Sequence, residues 1–324
     1  MSRKTLAGVQ GRRHGLGWRE WRAAGAAGYV RGVSLSDEPT AREPLPATTL
    51  FCAGLARAGA GETVSLDPDE FAHARALRIA TGDAVLVTDG RGLRWEAELT
   101  ETGRRTVACR LRAPRPAAAP RPLILWAPVG NRDRSLWLVE KAVELGVRRV
   151  VLTECARSRS VADAGRSAGF LDKARRRAIA ALTQSGGAHL PELSGPRDLD
   201  ELLDAPPEPE AAVRLVADPE GRPALDVVRA RTPEAAIWLV GPEGGLTPEE
   251  RRRARTAGFE MVALGARTLR FETAAVAGLA ILAAGLDAAA GANARDGERA
   301  SPGSGPEPAT SPDGGRSAAW SGES

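Results

Sequence analysis

Two short stretches carry the residue types that could do chemistry. LVGPEGGLTPEE, Leu239 to Glu250, sets three glycines, a proline and a carboxylate between an apolar run and a charged helical segment. Gly241, Gly244 and Gly245 remove side chains, so main-chain N–H and C=O groups can touch a ligand; a plain strand–helix turn uses glycine in the same way. LGARTLRFETAA, Leu264 to Ala275, adds Gly265 for a tight turn and Arg267 and Arg270 as fixed charges. Glu272 and Thr273 follow at a helix start, where carboxylate and hydroxyl groups suit the dipole and the free N–H groups. Both would serve equally as a simple cap. Neither loop is GxGxxG and neither carries the GK[ST] of a P-loop, which disfavours a Rossmann dinucleotide site and a P-loop.

Each loop needs a strand before it and a helix after it. AIWLV (236–240) precedes the first, and TPEERRRARTAG follows with Thr247 as N-cap and Pro248 in the first turn. EMVALG precedes the second, and ETAAVAGLAILAAGL follows it. Upstream, PLILWAP (122–128), RRVVLT (148–153) and RLVAD (214–218) read as strands. SLWLVEKAVEL (135–145), stopped by Gly146, and the basic segment 171–185 read as helices. Strand–helix alternation predicts a parallel α/β sheet, whose ligands bind at the carboxyl ends of the strands. The two loops then point to one shared pocket.

An earlier block, residues 46–113, reads as mainly β. AVLVTDG (84–90), LRWEAELTE with Leu93, Trp95, Ala97 and Leu99 on one face, and TVACRLR (106–112) are short strands, and FAHARALRI is an intervening helix. Several short strands in about 70 residues suggest a small barrel. The proline-rich residues 114–121 are expected to be a stiff linker to the α/β domain at 122–290. Residues 1–45 read as a disordered or misassigned extension, and 291–324 as a disordered tail.

Composition excludes several classes. Residues 1–42 hold eight basic and three acidic side chains and residues 287–324 three and six, leaving a net charge of +2 on 43–286. Nucleic acid must therefore be bound by local patches and not by bulk charge. Cys52, Cys109 and Cys155 form no CxxC pair and only three histidines are present, so no metal site is expected and the thiols read as buried and reduced. The longest uncharged apolar run, Thr273 to Leu286, is shorter than a membrane span and reads as a buried helix. A soluble, cytoplasmic protein with no membrane partner is the expectation.

VGPEGG followed some twenty residues later by LGARTLRFETA resembles the signature of the small-subunit methyltransferase E family, knotted enzymes of the SPOUT class that modify N3 of a uracil in 16S ribosomal RNA. The likeness runs over residues 46–288. It includes His73, Leu77–Arg78, Gly82–Asp83, Asp89–Gly90, Lys141 with Glu144–Leu145–Gly146–Val147, Arg157–Ser158, Gln184–Ser185–Gly186 and Pro191–Glu192. Asn131 stands where the family usually has lysine, and Thr268 where it has isoleucine. The resemblance implies a PUA-like RNA-binding β-barrel, then a trefoil-knotted methyltransferase domain, a homodimer, and 16S ribosomal RNA or the small subunit as partner. It implies S-adenosylmethionine as methyl donor, held by Val240, Gly241, Pro242, Glu243, Gly244, Gly245, Leu264, Gly265, Leu269, Arg270 and Thr273.

On that reading uracil N3 must lose a proton, and a guanidinium can stabilise the ring charge, with Arg270 the candidate and Glu272 the candidate proton acceptor. N3 lies on the pairing edge, so the base must be unpaired or flipped out. Arg78, Lys141, Arg157 and Arg267 are candidates for phosphate contacts. Two alternatives stay open: a knotted methyltransferase acting on another ribosomal or transfer RNA nucleotide, and a non-catalytic RNA-binding protein.

Overall fold

The computed structural model describes residues 48–103, 106–117, 119–158, 169–205 and 209–300. The expected extension at 1–45 and the tail from 301 lie outside the described residues. In chain order, β1 (Thr49–Phe51), β2 (Thr63–Ser65), α1 (Pro68–Ala76), β3 (Ala84–Thr88), β4 (Leu93–Thr102) and β5 (Val107–Pro116) form the first block. Its sheet has the order β1-β3-β4-β5-β2. Trp95, Ala97 and Leu99 of β4 are buried with Val85, Val87, Cys109 and Leu111, as the alternation requires.

One expectation for this block is refined and one is corrected. The sheet is a half-barrel, because β1 and β2 are three residues each and do not pair; Cys52 Sγ reaches Ser65 O at 3.6 Å between them. The stiff linker begins later than residue 114, since Pro114 and Pro116 lie in β5 opposite Trp95 and Leu93. Prolines two apart in a strand turn toward the same edge, and β2 covers only Ala108 to Arg110 of that strand, so the missing N–H groups can face an unpaired side.

The second block contains β6 (Leu123–Pro128), α2 (Arg132–Glu144), β7 (Arg149–Glu154), α3 (Phe170–Ser185), β8 (Glu192–Asp198), α4 (Leu199–Asp204), β9 (Val213–Pro223), α5 (Ala224–Arg231), β10 (Ala236–Leu239), α6 (Pro248–Thr256), β11 (Glu260–Ala263) and α7 (Phe271–Ala300). The six strands are parallel in the order β11-β9-β10-β6-β7-β8. β10 and β6 are buried throughout, as a sheet covered on both faces demands. Leu123, Leu125, Leu215 and Trp238 face a core with α2, α3, α5 and α7, and Trp126, Ile237 and Phe259 face α4 and α6.

α7 is longer than expected and runs through the predicted tail start to Ala300, with no proline before Pro302 to stop it. Its segment Phe271–Ala290 is long and apolar enough to cross a membrane by length and composition. In the fold Phe271, Ala275, Leu279 and Leu282 are buried in the core, and at Gly278 any side chain would collide with the Trp238 indole.

Among the described residues, the two blocks are joined by two backbone hydrogen bonds and one from a side chain. Gly92 N donates to Ala188 O at 2.8 Å, Leu190 N donates to Gly90 O at 2.8 Å, and Arg94 reaches Gly186 O at 3.4 Å. The turn at Asp89–Gly90 and the segment after Gln184–Ser185–Gly186, both part of the motif pattern, therefore meet at this seam. Burial, then the charge of Arg94, holds His189 below the ordinary histidine range.

Candidate active site

The parallel sheet puts every carboxyl end on one edge, and a cavity of about 290 Å³ opens there. The PEGG segment is a turn closed by Gly245 N donating to Pro242 O at 2.7 Å, and Gly245 has φ +69, which suits glycine. Helix α6 follows at once: Thr247 accepts from Glu250 N at 3.1 Å, and Glu250 accepts from Thr247 N at 2.7 Å, a complete capping box. Glu250 also accepts from Ala156 N at 2.7 Å, which ties the loop after β7 to this helix.

Of the residues expected to hold a cofactor, Val240, Gly241, Pro242, Glu243, Gly245, Leu264, Gly265 and Leu269 line the cavity. Gly244, Arg270 and Thr273 do not. A Cβ on Gly244 would meet the Arg157 side chain at 3.3 Å, so this glycine makes room for an arginine rather than for the cavity. At Gly265 the position of a Cβ is open space and φ is +145, so bare backbone faces the cavity. Thr268, a departure from the family pattern, is also on the lining.

The four arginine and lysine candidates separate. Arg267 lines the cavity, and so does Arg157, whose NH1 donates to Gly244 O at 2.5 Å. Arg78 is exposed beyond the end of α1 with φ +54. Lys141 lies elsewhere on α2, and its hydrogen bond to Glu144 (2.7 Å) raises its pKa. Its ammonium also stands 5.8 Å from the Trp137 ring centroid.

Arg270 and Glu272 share the start of α7 but differ in environment. Arg270 is exposed, and its carbonyl accepts from Ala274 N as the first bond of the helix. Glu272 is outside the cavity lining, its side chain only 12% exposed, with Oε1 3.6 Å from Arg134 and Oε2 buried without a hydrogen-bond partner. Arg134 reaches the other loop as well, 3.8 Å from Glu243. Asn131 aims it, accepting from Asp133 N and Arg134 N as the α2 N-cap.

Arg134, Asp218 and Arg251 stand beside the loops without having been singled out in the sequence, and Leu246 and Phe271 of the two stretches add apolar lining. Asp218 left a signal: DPEG, a turn composition that begins at the last residue of the run RLVAD. Among the described residues no group of His, Cys, Asp and Glu could hold a metal ion. All three cysteines are buried and free, and burial pushes Cys109 and Cys155 up to about 12.

An RNA methyltransferase domain model matches residues 117–283, and an RNA methyltransferase PUA domain model matches residues 66–112. The chain is 29% identical over 224 residues to the ribosomal RNA small subunit methyltransferase E of Mycobacterium bovis, covering 68% of this chain and 85% of that protein. A crystal structure of the ribosomal RNA small subunit methyltransferase E of Neisseria gonorrhoeae bound to S-adenosylmethionine is similar at 28% identity and a TM-score of 0.61, covering 72% of this chain and 95% of that one. A Legionella pneumophila methyltransferase bound to S-adenosylmethionine is similar at 25% identity and a TM-score of 0.61, covering 73% of this chain and 97% of that one. With a PUA domain ahead of a methyltransferase domain, the chain belongs to the family of RNA methyltransferases that includes ribosomal RNA small subunit methyltransferase E.

Proposed function

We propose that this protein transfers a methyl group from S-adenosylmethionine to N3 of a uracil in the 16S RNA of the small ribosomal subunit, in the cytoplasm. The observation that carries the reading is the meeting of the two glycine loops on one cavity at the carboxyl edge of the sheet. The cavity fits an adenosine-bearing donor. Val240, Pro242, Leu246, Leu264 and Phe271 supply apolar walls, and Gly265 leaves main chain bare. When bound, the donor supplies a sulfonium-activated methyl group.

The chain's own contribution is position and charge. The loops hold the donor through main-chain groups, and α7 starts beside them with Phe271 on the cavity wall. Arg270, exposed there, is our candidate to stabilise negative charge on the uracil ring. Glu272 is our candidate for receiving the N3 proton at Oε2, which has no hydrogen-bond partner in the protein. Arg157 and Arg267 on the cavity rim, with Arg78 on the PUA domain, are the proposed phosphate contacts, and Lys141 a more distant one. The trefoil knot and the homodimer belong to this proposal. In support of a dimer, Thr273, Ala280 and Ala284 are exposed and Ala277 half-buried along one stripe of α7.

The test is a modification map. Mass spectrometry of 16S RNA from a strain lacking the gene should show one uracil without its N3 methyl group, restored by the purified protein and S-adenosylmethionine. An unmethylated position in transfer RNA or at another ribosomal base would replace the substrate and keep the reaction. No change in any RNA, with no donor bound, would leave an RNA-binding protein.

A further inference from the structure

β9 is broken at the cavity. Its register against β11 runs from Val216 opposite Met261 directly to Arg222 opposite Val262, so Ala217 to Gly221 are thrown out of the ladder. Gly221 makes the excursion feasible, because a Cβ there would collide with the Met261 and Val262 backbone. Five residues leaving a parallel strand forfeit ladder hydrogen bonds, and such irregularities re-aim side chains at sites. Here the excursion carries Asp218 onto the cavity wall, with only 5% of its surface exposed.

Strand order gives this placement its meaning. β9 lies between β10 and β11, the strands that lead into the two glycine loops. Asp218 therefore sits between the loops that we propose to hold the donor. Its carboxylate is held but not saturated: Oδ1 accepts from Glu220 N at 2.9 Å, and Oδ2 accepts from Arg251 at 3.5 Å. A carboxylate offers about four acceptor sites. Arg251 offsets the charge, which favours neutral hydroxyl donors over a second cation as the missing partners. In dinucleotide-binding α/β sheets a carboxylate beside the nucleotide loop reads a ribose hydroxyl, and Asp218 offers the same chemistry beside these loops.

We propose that Asp218 is a cofactor-binding residue that accepts hydrogen bonds from the ribose diol of the donor, and that the 217–221 excursion exists to place it there. The inference rests on the donor reading above. A diol is common to S-adenosylmethionine and S-adenosylhomocysteine, whereas the sulfonium charge is not.

Calorimetry with both ligands and with 2′-deoxy- and 3′-deoxy-S-adenosylhomocysteine tests this on the full chain. Wild type should lose about tenfold or more in affinity when either hydroxyl is removed, the worth of a hydrogen bond to a charged group. Asp218→Asn, close in size, should weaken both natural ligands by a similar factor and discriminate less against the deoxy compounds. Wild type that binds all four ligands equally overturns the inference and leaves the donor reading intact, and this arm needs no variant. A loss in Asp218→Asn confined to S-adenosylmethionine also overturns it, by assigning the carboxylate to the sulfonium. Wild type that binds none of them overturns both readings.

Discussion

Arg134 on α2 stands 3.6 Å from Glu272 in the first turn of α7, and the same guanidinium is 3.8 Å from Glu243 in the first glycine loop. One side chain thus spans both loops. Arg134 is 38% exposed but Glu272 only 12%, so Arg134→Met should lower melting modestly by leaving that carboxylate without this guanidinium. It should also weaken S-adenosylmethionine binding several-fold by freeing the loops from each other. Calorimetry beside thermal melting checks this, and unchanged affinity would leave Arg134 without a positioning role. Glu272→Gln separates positioning from proton transfer. Loss of the acceptor should lower kcat without changing the KM for the donor.

Gly265→Val should abolish or greatly weaken donor binding. At φ +145 a β-branched residue is strained, and its side chain would enter open cavity space. Gly244→Ala should cost less, because its methyl group meets the movable Arg157 side chain. Equal losses in both variants, measured by calorimetry, would contradict the geometry of the two loops.

Arg270→Ala should leave RNA binding and donor affinity nearly unchanged while methyl transfer falls about a hundredfold, the scale of losing one charge-stabilising group. Methyl incorporation into small subunits, read beside filter binding, distinguishes this from a binding defect. A wild-type rate would remove Arg270 from the chemistry.

Arg78→Ala should weaken RNA binding and reduce the slope of log affinity against log salt by about one, as expected when one phosphate contact is lost. Donor affinity should not move, since Arg78 is on the PUA domain and outside the cavity lining. Filter binding at several salt concentrations gives the slope.

Ala277→Glu should disrupt a dimer packed on α7. Ala277 is half-buried within one protomer and in line with exposed Thr273, Ala280 and Ala284. A glutamate there need not unfold the monomer, yet it would bury a charge between two copies. Sedimentation should show a dimer for wild type and a smaller species for the variant. Wild type sedimenting as a monomer at micromolar concentration would refute the arrangement.

Much of this protein is legible in its sequence because the signals are local. The buried runs of β6 and β10, the alternation of β4 and the capping of α6 by Thr247, Pro248 and Glu250 depend on residues within a few positions of one another. The two glycine loops were likewise visible, since each is flanked by its own strand and helix. The tertiary structure alone decided what depends on distant neighbours. Strands β1, β2 and β8 are too short or too polar to announce themselves and exist through their partners. Pro114 and Pro116 are strand residues only because β4 is long enough to pair with them. Gly244 proved to face Arg157, 87 positions away, rather than the cavity. Asp218 became a buried carboxylate between the loops only through the order β11-β9-β10, because the burial of a charge is set by whichever segments surround it and not by its neighbours in the chain.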